Sequence, residues 1–176
     1  HGVRLTGGDE EIIIGTRQGM AIRFHEDDVR LMGRTAGGVK GITLSNEDHV
    51  VGMDVVVKDQ DVLIVSEKGY GKRTQIDEYR IQNRGGKGIK TSNITDKTGA
   101  LVSLKVVSLE SDIMIITASG VIIRTQVEPI SQTGRNTQGV KLIRVNEGEE
   151  VATVARVDIE DDEVEELLEE EAMQEQ

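Results

Sequence analysis

Gln82-Asn83-Arg84-Gly85-Gly86-Lys87-Gly88-Ile89-Lys90 decides the fold, because it is one of three copies. Fifty residues earlier stands Arg34-Thr35-Ala36-Gly37-Gly38-Val39-Lys40, and fifty-one residues later stands Arg135-Asn136-Thr137-Gln138-Gly139-Val140-Lys141. Each copy runs Arg, then Gly four positions on, then an apolar β-branched residue, then Lys. A cation, a glycine and a cation at one spacing, three times over, describe a surface that repeats charge at regular intervals. A long regular polyanion matches such a surface.

The repeat extends outward from these loops. Ile12-Ile13-Ile14-Gly15-Thr16, Val62-Leu63-Ile64-Val65-Ser66 and Ile113-Met114-Ile115-Ile116-Thr117 open the three units. These short β-branched runs have the pattern of strands buried on both faces. A turn ending in Gly19, Gly69 or Gly120 follows, where a short hairpin loop demands positive φ. The returning strands carry an Arg at one matched position, Arg23, Arg73 and Arg124. Another apolar strand closes each unit, at 50–57, 101–107 and 151–157. A period near 50 residues with about four short strands predicts an all-β, propeller-like array, with strands shared between neighbours. WD and kelch repeats lean on aromatics, whereas this chain has no Trp, two Tyr and one Phe. The predicted blades span about 9–57, 58–107 and 108–157. Gly2-Val3-Arg4-Leu5-Thr6 reads as the final strand of a preceding unit, so residues 1–157 read as an arc cut from a longer array.

Composition sharpens this picture. The formal net charge is −11, yet residues 158–176 hold eleven of the 32 acids and none of the 21 cations. The body is therefore formally neutral, and the acidity belongs to a tail expected to be disordered or a short amphipathic helix on Val164, Leu167 and Leu168. This tail is expected to compete with polyanions for the basic loops. Within the body the stretches 29–46, 79–95 and 129–146 hold three, four and three cations and no acid. There is no cysteine and no apolar run near the ~18 residues of a membrane span, so a cytoplasmic protein is expected. The three histidines, His1, His25 and His49, show no ligand spacing, and no metal site is expected.

Four readings of the basic loops compete. A single copy would be a glycine turn with solvated charges, but three copies in register argue against that. A Walker phosphate loop needs Gly-Lys-Ser/Thr opening a helix, and Gly88-Ile89-Lys90-Thr91 breaks it. Single-stranded nucleic acid needs aromatic stacking platforms, and only Tyr79 stands near a basic loop. Duplex DNA held by its backbone fits best, since glycines admit phosphates close to main-chain N–H groups while Arg and Lys neutralise charge. Catalysis finds no nucleophile–base pair or carboxylate cluster in the body, and Tyr79 reads as structural.

Gln82-Asn83-Arg84-Gly85-Gly86-Lys87-Gly88 resembles the box Gln-Arg-Arg-Gly-Gly-Lys-Gly of the DNA gyrase A-subunit family, departing only at Asn83. The run from Ile130 through Gln132, Gly134, Arg135 and Gly139 to Ile143 is similar to the last blade of that family, whose members also carry acidic tails. The resemblance implies a β-pinwheel whose blades exchange strands, binding and wrapping duplex DNA around a basic rim. The wrap sets a positive crossover that lets the whole ATP-dependent type II topoisomerase introduce negative supercoils. It implies partners in the gyrase A N-terminal region and in the gyrase B protein, within a holoenzyme of two copies of each on the chromosome. ATP and Mg would bind elsewhere, with no cofactor and no catalytic residue in this fragment. Gln82, Arg84, Lys87 and Lys90, with Gly85, Gly86 and Gly88, are the implied principal DNA contact. Arg34, Lys40, Arg135, Lys141 and Arg144 would continue the path, and Arg23, Arg73 and Arg124 are weaker candidates. A propeller-like protein-interaction scaffold and the C-terminal domain of topoisomerase IV are the alternatives.

Overall fold

The three apolar runs form strands, as β-branched side chains favour on a packed, pleated surface. They are β1 (Glu11–Thr16), β4 (Asp61–Ser66) and β8 (Asp112–Thr117) in a computed structural model that describes residues 2–157. The tail expected at 158–176 lies outside the described residues. Each run turns at its glycine, with φ of 83° at Gly19, 78° at Gly69 and 89° at Gly120. The chain returns as β2 (Met20–His25), β5 (Tyr70–Gln75) and β9 (Ile122–Gln126), each antiparallel to the strand before it. The closing strands β3 (Val50–Val55), β7 (Leu101–Val107) and β11 (Val151–Val157) pair with the other edge of β1, β4 and β8. Two 3-10 turns, Glu26–Asp28 and Ile76–Glu78, are the helical elements among the described residues.

The fourth strand of a blade comes from the next repeat. β6 (Ile89–Lys90) leaves its own unit and pairs with β2, Ile89 opposite Ala21 and Lys90 opposite Met20. β10 (Val140–Lys141) pairs in the same register with β5, Val140 opposite Gly71 and Lys141 opposite Tyr70. The sheets thus run β3-β1-β2-β6, β7-β4-β5-β10 and β11-β8-β9. The basic loops are therefore the crossings between blades. Gly88 and Gly139 sit at these crossings with φ of 75° and 80°. A Cβ on either would run into the backbone oxygen of Ala21 or Gly71, so the host strand admits only glycine there.

The cores lie between sheets. Ile13, Val62, Ile64, Tyr79, Leu101 and Leu104 fill the space between the first and second blades. Leu63, Val65, Ile113, Ile115, Val151 and Val154 fill the space between the second and third. Val62 and Ile64 thus face one neighbour while Leu63 and Val65 face the other, which is why β4 is buried along its whole length. Leu104 sits in a notch over Gly15, where a Cβ would come 2.5 Å from its Cδ1. Each such buried aliphatic side chain contributes about 1.5–3 kcal/mol.

Two expectations are corrected. β8 is buried on one face only, alternating Ile113 and Ile115 inside with half-covered Met114 and Ile116. Burial on both faces requires cover on each side. The second blade has a blade on each, the first covers Ile14 with Ile22, Phe24 and Ile42, and β8 has one covered face within the described residues. Residues 2–6 form no strand, with Val3 85% and Leu5 97% exposed. No β-ladder forms along their backbone, and Arg4 ties them down through Asp54, its Nε donating to Oδ1 at 2.8 Å.

Candidate nucleic-acid interface

Strand exchange places each basic loop against the loop of the preceding repeat. At the first crossing the Gly85 N–H donates to Gly41 O at 2.7 Å and the Thr43 N–H donates to Gly86 O at 2.8 Å. The Thr43 hydroxyl donates to Gly85 O at 2.6 Å. At the second crossing the Asn93 N–H donates to Thr137 O at 3.1 Å. The three loops are stitched side by side into one band, which the repeat spacing alone does not reveal.

The matched arginines make the stitch. Arg84 donates from Nη1 to Lys40 O and from Nε to Asp28 O at 2.9 Å, while its backbone N–H donates to the Asp28 carboxylate at 3.1 Å. Arg135 donates from Nη1 to Lys90 O at 2.8 Å, and its backbone N–H donates to the Glu78 carboxylate at 3.1 Å. Each Arg thereby fixes the main chain of the Lys that ends the preceding copy. A guanidinium suits this task because its planar fork reaches several acceptors at once. The acid-free stretches of the sequence are thus not acid-free in space. Asp28 and Glu78 each precede their own stretch and reach the next repeat's Arg. Their fifty-residue spacing was the signal that could have found them.

The other predicted residues divide by exposure. Arg34, Lys40, Lys87, Lys90, Lys141 and Arg144 are exposed. Lys90 Nζ donates to Asn93 Oδ1 at 3.2 Å. Gly85 and Gly88 adopt φ of 83° and 75°. Gly86 is exposed, with Ile22 beneath it. The Gln82 N–H donates to Arg23 O at 2.7 Å, while its side-chain Nε2 is buried without a hydrogen-bond partner.

Arg23 and Arg73 belong to the seams between blades. Arg23 Nη1 donates to Ile76 O at 2.9 Å and Tyr79 O at 3.0 Å, and its Nε pairs with Glu11. Arg73 Nε donates to Ile130 O at 2.9 Å, with Nη2 on Glu128 O and Nη1 on Asp61. Arg124 pairs with Asp112 at 2.7 Å. The acids answering these arginines, Glu11, Asp61 and Asp112, open the three apolar runs and repeat with the same period.

Two residues escaped the sequence reading. Lys72 is fully buried, and its ammonium donates to Gly134 O and Arg135 O at 2.7 Å each and to Thr137 Oγ1 at 3.1 Å. Desolvation lowers its pKa to about 8. Aligning the returning strands on their Arg would have exposed it, since Ile22 and Ile123 occupy the matched positions. Tyr70, opposite Lys141, is the aromatic that stands beside a basic strand. Tyr79 is 1% exposed, its hydroxyl is bonded to Thr91, and burial pushes its pKa up to about 12. Among the described residues no group of three His, Cys, Asp or Glu side chains could hold a metal ion, and no helix is long and apolar enough to cross a membrane.

The comparisons with known proteins converge. The sequence model of the family described as DNA gyrase C-terminal domain, beta-propeller, matches residues 10–56, 60–108 and 111–158. The chain is 53% identical over 162 residues to the DNA gyrase A protein of Staphylococcus epidermidis, covering 91% of this chain and 18% of that protein. It is 54% identical over 157 residues to the DNA gyrase A protein of Staphylococcus aureus, covering 88% of this chain and again 18% of the relative. A solved DNA gyrase A C-terminal domain superposes with a TM-score of 0.79 at 29% identity, over 84% of this chain and 50% of that one. The C-terminal domain of a DNA topoisomerase IV superposes with a TM-score of 0.84 at 24% identity, over 89% of this chain and 49% of that one, a likeness of fold.

Proposed function

Because this chain belongs to the DNA gyrase C-terminal β-propeller family, we propose that its band of basic loops binds duplex DNA by the phosphate backbone and wraps it. The observation that carries the reading is the stitch of Arg84 to Lys40 O and of Arg135 to Lys90 O. It fixes the main chain of Lys40 and Lys90 beside the loops that carry Lys87 and Lys141, which supports reading these lysines as one path of phosphate contacts. The carbonyl partners of the two guanidinium groups are neutral, while the carboxylates of Asp28 and Glu78 at their backbones offset part of the band's charge. Contacts of this kind are sequence-tolerant, because phosphate binding carries no base information. Wrapping then stores its energy in DNA deformation rather than in base contacts.

The chain spans 18% of the length of the gyrase A proteins it resembles. In the assembled enzyme its part is to set the handedness of the wrapped segment, while strand cleavage, ATP and Mg belong to other regions and to the gyrase B protein. The fragment itself is non-catalytic and acts in the cytoplasm on the chromosome. Ligating a nicked circle on the chain and reading the topoisomers tests wrapping directly. A shifted linking-number distribution is expected, and an unshifted one would leave a protein-interaction scaffold. In the full enzyme, replacing Arg84 and Lys87 together by Ala should abolish supercoiling while relaxation survives. With six of the predicted contact cations exposed, the log–log salt slope of duplex binding should approach roughly −5.

A further inference from the structure

The second blade gathers cations around one aromatic ring, and its neighbours do not. Tyr70 opens β5 opposite Lys141 of β10. The Lys141 Nζ lies 5.5 Å and the Lys97 Nζ 5.4 Å from the centre of the Tyr70 ring. An open hollow of about 450 Å³ adjoins them, with Lys68 and Asn146 also on its walls. At the matched positions the first blade has Gln18, Met20 and Glu47 around incoming Lys90. The third has Ser119, Val121 and Gly148. Three lysines in one blade therefore replace one lysine and a glutamate in another.

Such convergence has a cost that the chain itself offsets only in part. The negative face of an aromatic ring attracts each ammonium, and Lys68 Nζ donates to Asp96 O. Two acids border the hollow, Glu147 and Glu149. Glu149 turns away, its Oε1 accepting the Ser119 N–H at 3.0 Å. Among the described residues no carboxylate lies within ion-pair distance of Lys97 or of Lys141. An oxyanion in the hollow would meet two ammonium groups already held over one ring, with little side-chain entropy left to lose.

We propose that the hollow beside Tyr70 is a seat for a phosphodiester of duplex DNA, held between Lys97 and Lys141. The proposal rests on the duplex-binding reading and adds Lys97, Lys68 and Tyr70 to it. Tyr70 is here a positioning residue: it holds the two lysines rather than stacking on a base, since it is only 8% exposed.

Fluorescence anisotropy of a labelled duplex of arbitrary sequence, titrated with the chain at several NaCl concentrations, tests this. Lys97→Gln should reduce the magnitude of the log–log slope by about 0.9, the share of one phosphate contact. Across a fourfold range of salt that amounts to roughly a 3.5-fold smaller loss of affinity than the unaltered chain shows. Tyr70→Phe, which keeps the ring, should match the unaltered chain, and Tyr70→Leu should weaken binding. Lys58→Gln, an exposed lysine at the opposite end of the strands, should leave the slope as it is. Binding by the unaltered chain with an undiminished slope in Lys97→Gln would overturn this seat alone. An unaltered chain that ignores the duplex would overturn the reading beneath it, and the seat with it.

Discussion

The crossings into the first and second blades share a frame and differ in where they put one lysine. In both, the next repeat hangs on the hairpin glycine. Thr91 and Ser92 donate to Gly19 O at 2.8 and 3.3 Å, and Leu142 and Ile143 donate to Gly69 O at the same two distances. In both, the loop arginine ties down the preceding lysine. At the first crossing the loop carries its own cation, Lys87, exposed above Gly86 and Ile22. At the second the loop is Asn136-Thr137-Gln138, and the cation comes from below, as Lys72 buried against the loop's carbonyls. One loop presents its charge outward, and the other is braced by a charge from within. The shared frame makes the blades repeat, and the lysine makes them unequal.

The largest effects should come from breaking what the crossings share. Gly88→Ala and Gly139→Ala each push a Cβ onto a backbone carbonyl at positive φ. Each should cost about 3 kcal/mol, from backbone strain and overpacking together. Gly38 has the same conformation, φ 77°, with nothing within 4 Å of its Cβ position. Gly38→Ala should therefore cost only the conformational part, about 1 kcal/mol. Thermal unfolding of the three variants checks the ranking. Equal losses at Gly38 and Gly88 would deny the close approach at the crossing.

The next test separates the crossings. Lys72→Met removes three hydrogen bonds from a buried cation and leaves Gly134 O, Arg135 O and Thr137 Oγ1 without their donor. A loss of about 2 kcal/mol is expected at neutral pH. The pH dependence is more telling. Folding lowers the Lys72 pKa from 10.5 to about 8, so between those values the unfolded chain holds more protons and stability rises with pH. Below pH 8 both states are protonated and the burial penalty is fully present. The gap between the unaltered chain and Lys72→Met should therefore widen from about pH 8 toward 10. Tyr79, whose pKa folding raises from 10.0 to about 12, destabilises both chains alike above pH 10 and leaves the gap untouched. A gap independent of pH would show that Lys72 is not desolvated.

Much of this was legible in the sequence, and the part that was not has a physical reason. Periodicity located β1, β4 and β8, because β-branched runs between glycines leave few alternatives. The hairpin glycines followed from the turn chemistry. Strand exchange was expected in outline, but its consequence for Arg84 and Arg135 was not. A guanidinium next to glycines looks free in a linear text, and the carbonyl it serves lies 44 or 45 residues upstream in the preceding repeat. Backbone acceptors have no sequence signature at all. Lys72 was hidden differently, since a lysine in a strand reads as surface by default, and only comparison with Ile22 and Ile123 marks it as inside.

The smallest effect in stability should separate framing from contact at the first crossing. Arg84 is part-buried and holds Asp28 and Lys40, whereas Lys87 is exposed. Arg84→Ala should cost about 1 kcal/mol and weaken duplex binding, because the path of Lys40 is loosened as well as its neighbour's charge removed. Lys87→Ala should stay within about 0.5 kcal/mol of the unaltered chain and lower the salt slope by about 0.9. If Lys87 were instead a brace like Lys72, its removal would unfold the chain at lower temperature and leave the slope intact. Measuring melting temperature and salt slope on the same two variants thus decides whether the glycine-rich loop spends its cation outward or inward, which is the difference that sets the two crossings apart.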